Sequence, residues 1–173
     1  MGLRKGHCYS RVKRAYTRKS KVKSKSYIKT IPTNKVIRYV MGDQKKSFDF
    51  RLNLVAKDPV QIRHNALESC RLVINRKLIT RFGSDYLFTL RVYPHHILRE
   101  NKMLTGAGAD RMQRGMQLSF GQSMGLAAQI KRGQAIFSVD VSKDKIDYAK
   151  KALHMAVPRI PGHYTILVES IKH

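Results

Sequence analysis

The alternation of hydrophobic and polar residues along the chain predicts several short β-strands. In residues 48–54 single polar residues separate the hydrophobic ones, which is the period-two pattern of a strand buried on one face. Residues 36–40 are rich in β-branched side chains, and Met41-Gly42-Asp43 ends that predicted strand. Further strands are predicted over residues 86–92, 135–141 and 164–171.

Helical spacing of hydrophobic residues predicts two α-helices. The first begins at Asp58-Pro59, an N-cap followed by proline at the first helical position, and ends at Gly83. The second begins near Ser142 or Asp144 and ends before Pro158. Their apolar faces are Ile62, Ala66, Cys70, Val73, Ile74 and Leu78 in the first, and Ile146, Ala149, Leu153 and Ala156 in the second. We therefore predict an α+β fold with a mainly antiparallel sheet and two helices packed on one face.

The charge of the chain indicates a polyanionic partner. The 173 residues contain 35 Lys and Arg against 11 Asp and Glu, a net charge of +24. A charge of this size is most often found in proteins that bind nucleic acid. The basic residues are concentrated at the N-terminus, so we predict a basic arm over residues 1–34 that becomes ordered on RNA. Residues 35–173 are predicted to form a single domain.

Other classes of protein find little support in the composition. The two cysteines, Cys8 and Cys70, lie too far apart for a disulfide scaffold or a four-cysteine zinc site. Free thiols are typical of a reducing compartment, which favours the cytoplasm. No apolar run is long enough for a membrane helix, and the N-terminus lacks the apolar stretch of a secretory signal. We predict no membrane, metal or cofactor partner and no dedicated homo-oligomer.

One short motif raises the possibility of an enzyme. Residues 121–125 read Gly-Gln-Ser-Met-Gly, which matches the nucleophile elbow of serine hydrolases with Ser123 as the nucleophile. The motif requires a strand before the serine and a helix after it, and the flanking sequence predicts neither. A small hydrolase therefore stays an alternative, while the motif itself is interpreted as a flexible turn.

The segment 101–116 is the most informative part of the sequence. Four consecutive Gly and Ala residues allow the backbone to approach a surface closely, and Lys102, Arg111 and Arg114 flank them with positive charge. Met103, Met112 and Met116 are interpreted either as part of this surface or as core residues. A loop of this length within a compact domain is usually functional or disordered.

Three stretches together resemble a known family. These are Met1-Gly2-Leu3-Arg4, the Tyr-Pro-His-His-Ile-Leu-Arg run at 93–99, and the Asn-Lys-Met-Leu…Ala-Gly-Ala-Asp-Arg…Gln-x-Gly-Met pattern of 101–116. They are similar to the universal L16 family of large-subunit ribosomal proteins. Within it they resemble the archaeal and eukaryotic L10e branch, and the end at His173 favours the archaeal form. The resemblance implies an α/β-hammerhead-like fold and a non-enzymatic role.

The resemblance also implies where the chain acts. Members bind large-subunit rRNA and neighbouring ribosomal proteins, help to shape the aminoacyl-tRNA site, and bring a flexible loop, here 101–115, near the peptidyl-transferase centre and tRNA acceptor ends. The predicted RNA-binding residues are Arg4, Lys5, Arg11, Lys13, Arg14, Tyr16, Arg18, Lys19, Lys21, Lys23, Lys25, His95 and Arg99. The predicted loop residues near tRNA are Asn101, Lys102, Met103, Leu104, Gly106, Ala107, Gly108, Ala109, Asp110, Arg111, Gln113, Arg114 and Gly115.

The sequence departs from the family pattern at three positions. Gln117, Gln122 and Gln129 stand where basic residues are expected, so phosphate contacts from that stretch are in doubt. We hypothesise that the basic arm compensates for these missing charges. The main alternative to a ribosomal role is a free RNA-binding module or RNA chaperone, which the same charge would serve.

Overall fold

The computed structural model describes residues 4–12, 20–26, 28, 30–113, 115–117 and 120–171. In this part of the chain the helices are α1 (His64–Phe82), α2 (Ala109–Met112) and α3 (Ile146–His154). The strands are β1 (Val40–Gly42), β2 (Phe50–Ala56), β3 (Val60–Arg63), β4 (Leu87–Leu90), β5 (His96–Glu100), β6 (Gln122–Ile130), β7 (Ala135–Val141) and β8 (Tyr164–Ser170). Among the described helices, none combines the length and apolar character needed to cross a membrane.

The strands form two antiparallel sheets. The larger has the order β1-β4-β7-β2-β8 and the smaller the order β3-β6-β5. Every strand pair in the described chain is antiparallel. Helix α3 packs on β2 and β7, and α1 packs on α3, β3 and β6. The predicted α+β fold is confirmed, with two sheets where the sequence suggested one.

The core joins both sheets to the two long helices. Leu52 and Phe137 of the larger sheet are completely buried, as are Leu67 of α1 and Leu153 of α3. They belong to one hydrophobic cluster that also includes Ile62 of the smaller sheet. The predicted apolar face of the second helix is confirmed. The smaller sheet is thereby packed against the larger sheet and the two long helices through one core.

Helix α1 begins later than predicted, and its end is confirmed. Asp58-Pro59 lies in a turn between two strands, because Val60–Arg63 pairs with β6 instead of entering the helix. The predicted helical role of Ile62 was therefore wrong. Gly83 ends the helix with φ of 61° and donates its N–H to the carbonyl of Ile79 at 2.9 Å. The helical spacing of hydrophobic residues does not reveal that Val60–Arg63 pairs with a distant strand.

Two other local predictions were wrong. The strand predicted over 36–40 is displaced to Val40–Gly42, where Gly42 adopts φ of 93° and its backbone approaches Tyr86 closely. Helix α3 begins only after a 3₁₀ turn at Lys143–Lys145, and Ser142 makes no side-chain capping bond. In both places the element begins a few residues later than the local pattern indicates.

Candidate nucleic-acid interface

The beginning of the arm lies along β3, an edge strand of the smaller sheet. The backbone N–H of Gln61 donates to the carbonyl of Ser10 at 2.9 Å, and its side-chain amide donates to the carbonyl of Tyr9 at 2.7 Å. Arg63 donates to the carbonyl of Arg4 at 3.0 Å. The first of these bonds pairs a backbone group that an edge strand otherwise leaves unpaired, and the three together fix the start of the arm on the sheet.

Two guanidinium groups lie over the ring of Tyr9. The Cζ atom of Arg4 is 5.9 Å and that of Arg63 is 5.5 Å from the ring centroid. Both distances are within the range of cation–π attraction. The arrangement keeps an aromatic face and two positive charges together on one surface.

The remaining described cations of the arm are exposed. Lys5, Arg11, Lys21, Lys23 and Lys25 all have exposed side chains. Lys13, Arg14, Tyr16, Arg18 and Lys19 lie outside the described residues.

The far end of the arm is attached to the same small sheet. Ile28 is buried and forms a cluster with Ile97 of β5 and Leu126 of β6. The arm therefore contacts the small sheet at both ends.

A row of aromatic rings lies beside the connection between β4 and β5. The rings of Tyr39 and Tyr93 stack with centroids 5.5 Å apart, and the ring of His95 lies 4.6 Å from that of Tyr93. Tyr93 and His95 are exposed. Exposed rings of this kind can stack with unpaired bases.

The loop predicted to contact tRNA connects two paired strands. Glu100 of β5 faces Gln122 of β6 in the ladder, so the residues between them form the connection of one long hairpin. Arg99 lies with its Cζ 3.9 Å from the ring centroid of Phe120 and donates a hydrogen bond to the Phe120 carbonyl. Arg99 thus braces the base of the loop as well as contributing charge there.

Gly121 permits the close approach at the base of this hairpin. Its φ is +74°, and a Cβ placed there would lie 2.6 Å from the carbonyl carbon of Glu100 and 2.7 Å from the nitrogen of Asn101. Both the conformation and the contact exclude a side chain. This requirement was missed in the sequence, where Gly121 counted only as part of the hydrolase motif.

Gln113 holds the two sides of the loop together. Its side-chain oxygen accepts the N–H of Leu104 at 2.6 Å, and its amide nitrogen donates to the carbonyl of Lys102 at 3.1 Å. Between these contacts Gly106 and Gly108 have positive φ, and α2 begins directly after Gly108. The amide nitrogen also donates to Oδ1 of Asn101 at 3.5 Å. The tethering role of Gln113 has no signal in the sequence, because its two shorter bonds are to backbone atoms.

The hydrophobic side chains of the loop face outward. Met112 is 78% exposed and Met103 is 61% exposed. Met116 and Leu104 are also exposed, so the interpretation of the methionines as core residues was wrong. Arg111 is exposed, while Arg114 lies outside the described residues. The loop presents flexible apolar side chains and positive charge together.

The acidic side chains are used mainly in the larger sheet and the helices. Asp140 accepts two hydrogen bonds from Arg51, at 2.8 and 2.7 Å. Lys145 and Lys46 both pair with Asp85 and hold the pKa of its carboxyl below the usual value. Residues 1–42 contain no Asp or Glu. The positive charge of the arm is therefore not neutralised by acids within the arm.

The described residues do not form the nucleophile elbow that the motif at 121–125 suggests. Ser123 lies inside β6, paired with Arg99, so the strand–serine–helix turn of a nucleophile elbow does not occur there. The interpretation of this motif as a flexible turn was also wrong. Burial raises the pKa of the Cys70 thiol to about 12, which keeps it protonated. Among the described residues, no three His, Cys, Asp or Glu side chains group as metal ligands.

Comparison with known proteins identifies the family. The family model described as ribosomal protein L16p/L10e matches residues 12–167. The chain belongs to the L16p/L10e family of ribosomal proteins. It is similar to the large ribosomal subunit protein uL16 of Methanococcus maripaludis strain S2, with 45% identity over 97% of this chain and 95% of the relative. Identity to the uL16 protein of Metallosphaera sedula is 43%, over 99% of this chain and 97% of the relative.

Family membership confirms the resemblance to the archaeal branch and excludes the hydrolase alternative. The resemblance to the archaeal branch is confirmed, since both relatives are archaeal proteins. Members of the L16p/L10e family are ribosomal proteins, so the chain is not an enzyme and the hydrolase alternative falls.

One of the three glutamines that depart from the L16 pattern has a structural role. The side-chain amide of Gln129 donates to the Gln61 side-chain oxygen at 3.1 Å, and Gln61 in turn holds Tyr9. All three glutamines are exposed. The charge expected at position 129 is thus replaced by a hydrogen bond that supports the docked start of the arm.

Proposed function

We propose that this chain is a structural constituent of the large ribosomal subunit in the cytoplasm, where it binds rRNA and neighbouring ribosomal proteins. Its basic arm holds rRNA phosphates, and its loop 101–115 lies near the peptidyl-transferase centre and tRNA acceptor ends. In this role the chain helps to shape the aminoacyl-tRNA site. The observation that carries the proposal is that the acid-free arm and the loop are both attached to the small β3-β6-β5 sheet.

The arm is suited to rRNA because its charge has no acidic partner nearby in the sequence. Each phosphate neutralised by Lys or Arg releases bound counterions, which makes the affinity strongly dependent on salt. The exposed rings of Tyr93 and His95 offer stacking surfaces that unpaired RNA bases can use. Among the predicted RNA-binding residues, Arg99 holds the base of the loop through its contact with Phe120. Arg4 lies over the ring of Tyr9 and places a positive charge there.

The loop is suited to a position beside tRNA because its ends are fixed and its methionine side chains are exposed. Arg99 and Gly121 brace the base, and Gln113 ties the two sides. Exposed methionines adapt to irregular surfaces, and Lys102 and Arg111 add positive charge for phosphates. The chain belongs to a family of ribosomal proteins, not of enzymes, so in this proposal the loop acts by positioning.

The test is sedimentation of the tagged chain from cell extract through a sucrose gradient after a moderate salt wash. We expect near-stoichiometric migration with large subunits and whole ribosomes. Material that stays at the top of the gradient, or that spreads over unrelated RNAs, would support a free RNA-binding module or chaperone instead.

A matched pair of charge variants tests the role of the arm. Replacing Lys21, Lys23 and Lys25 by Gln should lower the salt slope of binding to large-subunit rRNA by about 0.7 to 0.9 for each phosphate that the variant no longer neutralises. The control replaces Lys143, Lys150 and Lys151 by Gln, which removes the same charge from the surface around α3. Equal effects of the two variants would refute a specific role of the arm.

A further inference from the structure

A small cavity lies where the start of the arm meets α1 and the β5–β6 hairpin. Its volume is about 150 Å³, and its lining includes Tyr9, His64, Leu98, Glu100, Met124 and Gly125. An apolar cavity of about this volume can hold one benzene molecule. The space therefore suits a single aromatic ring, with the open side leaving room for an attached group.

The walls of the cavity are apolar where the faces of a ring would lie. Leu98 of β5 is buried, and Met124 supplies a flexible thioether. Gly125 keeps the space open, since a Cβ built on it would lie 3.4 Å from Nε2 of His64. A larger side chain at position 125 would fill the cavity.

The buried imidazole of His64 offers a hydrogen-bond donor without a partner. Its side chain is only 8% exposed. Nδ1 accepts the backbone N–H of Lys35 at 3.3 Å, so the proton of the neutral ring is on Nε2, and no group of the described chain pairs with that atom. Burial, with Lys35 and Arg63 nearby, lowers the pKa of His64 and keeps the ring neutral. Nε2 faces Gly125 across the cavity. The hydroxyl of Tyr9, another lining residue, is the one buried side-chain oxygen or nitrogen of the described chain without a hydrogen-bond partner, and such a group is costly unless a ligand satisfies it.

Charged groups surround the same cavity. Arg4 and Arg63 lie at its edge beside Tyr9, and Glu100 of β5 adds a carboxylate. The guanidinium groups suit a phosphate. The carboxylate accepts hydrogen bonds only, which suits the exocyclic amino group of a base, as in carboxylate recognition of cytosine N4.

We propose that this cavity binds one unpaired nucleobase of the RNA, with cytosine the best fit, and that Arg4 and Arg63 hold its phosphate. The inference rests on the proposed function, because it takes RNA as the partner. Ring size, apolar walls, an unpaired donor and an acceptor-only carboxylate all agree with a six-membered base that carries an amino group.

The test is titration of the isotope-labelled full chain with cytidine monophosphate, observed by NMR at the amides of Gly125 and Leu126 and the methyl of Met124. Uridine monophosphate and ribose 5-phosphate are the matched probes. We expect saturable shifts with the cytidine nucleotide, at least about fivefold weaker binding of the uridine nucleotide, and no shift of these three signals with ribose 5-phosphate. Equal shifts with ribose 5-phosphate would overturn the proposal, because they would show attraction to phosphate alone.

Three variants test the location and the specificity of the binding site. Gly125→Val should abolish the shifts, while Ser123→Val, two residues earlier in the same strand, should retain them. Glu100→Gln should remove the preference for cytidine over uridine. Unchanged binding by Gly125→Val would overturn the proposal, as would shifts at these signals with N-acetylphenylalanine amide but not with nucleotide, which would indicate a protein partner.

Sedimentation separates this inference from the proposed function. If the wild-type chain migrates with large subunits but fails to bind the nucleotides, the cavity proposal fails and the ribosomal role stands. If the chain does not migrate with ribosomes, the proposed function fails whatever the titration gives.

Discussion

The two sheets of this protein use their polar side chains in opposite ways. Around the five-stranded sheet, cations are paired with acids, as in Arg51 with Asp140 and Lys145 with Asp85. Around the three-stranded sheet, Gln61 and Gln113 bond mainly to backbone, while the nearby cations of the arm have no acid in their own segment. The cations around the larger sheet are paired with acids of the same chain, whereas the basic arm on the smaller sheet suits a partner of opposite charge.

This difference predicts that stability and binding can be changed separately. Variants of the larger sheet should alter the free energy of unfolding, and variants of the smaller sheet should alter interactions with RNA.

The largest loss of stability is expected from Phe137→Ala. Phe137 is completely buried in β7, and its ring centroid lies 5.8 Å from that of Phe88. Removing it should lower the free energy of unfolding by about 3–5 kcal/mol, measured by urea denaturation. Met112→Ala in the exposed loop is the control and should change it by no more than about 0.5 kcal/mol. Similar losses in both variants would contradict the division between the sheets.

A smaller loss is expected from Glu68→Gln in α1. Glu68 and Arg71 form an ion pair with a 2.8 Å hydrogen bond, and both side chains are mostly buried. The variant leaves Arg71 without its charged partner, which should cost about 2 kcal/mol near neutral pH. Asp147→Asn, in an exposed pair with Lys150, is the control and should cost no more than about 0.5 kcal/mol.

The same pair gives a pH dependence with a definite sign. The hydrogen bond from Arg71 lowers the pKa of Glu68, so the unfolded chain binds the proton more readily. The pair therefore stabilises the fold above about pH 4.3, and this contribution is lost as the pH falls through the lowered native pKa. Urea denaturation should show the wild type and Glu68→Gln converging in stability at acidic pH. A constant difference between pH 7 and pH 3 would contradict this account.

Much of the larger sheet could be predicted from the sequence because its signals are local. Ala135–Val141 was predicted with the observed bounds, and the end of α1 followed from Gly83. Strand β3 was assigned to a helix, and β6 was not predicted, because each is defined by its pairing with the other. Residues 125–128 of β6 are all buried, so this strand lacks the alternation of hydrophobic and polar residues that marks β2.

Some parts of the candidate site could likewise be predicted from the sequence, and others could not. The basic arm and the loop could be identified from composition and from a long motif, both of which are written in consecutive residues. The bond from Gln61 to Tyr9 and the cavity beside Gly125 could not, since they join segments that are distant in sequence. The sequence thus indicates which residues meet the partner more readily than it indicates how they are held.

The base of the loop provides the next prediction. Gly121→Ala should destabilise the fold by about 2 kcal/mol or more, because it combines a positive φ with a backbone clash. Gly133→Ala has a similar φ of +79° but nothing within 4 Å of the new Cβ, so it should cost only about 1 kcal/mol. Urea denaturation of both variants measures the difference. Equal costs would mean that the contact with Glu100 and Asn101 does not restrict this position.

Deletion of Gly106–Asp110 should leave stability nearly unchanged and impair translation. The deleted residues lie between the contacts that Gln113 makes and contribute nothing to the hydrophobic clusters of the described chain. We expect a change of no more than about 0.5 kcal/mol in the free energy of unfolding, together with reduced peptide synthesis by subunits that contain the variant. An unfolded variant would contradict the expectation that the loop contributes little to the stability of the fold.

The smallest effect on stability is expected from restoring charge at Gln122, the first residue of β6. Gln122→Lys should leave the free energy of unfolding within about 0.5 kcal/mol of the wild type, because the side chain is exposed at the start of the strand. If the new lysine reaches a phosphate, the salt slope of rRNA binding should steepen by about 0.7 to 0.9, measured by titration at several salt concentrations. Gln129→Arg adds the same charge but removes the donor to Gln61, so it should also loosen the docked start of the arm. An unchanged slope in both variants would reject the hypothesis that the arm compensates for charges missing from this strand.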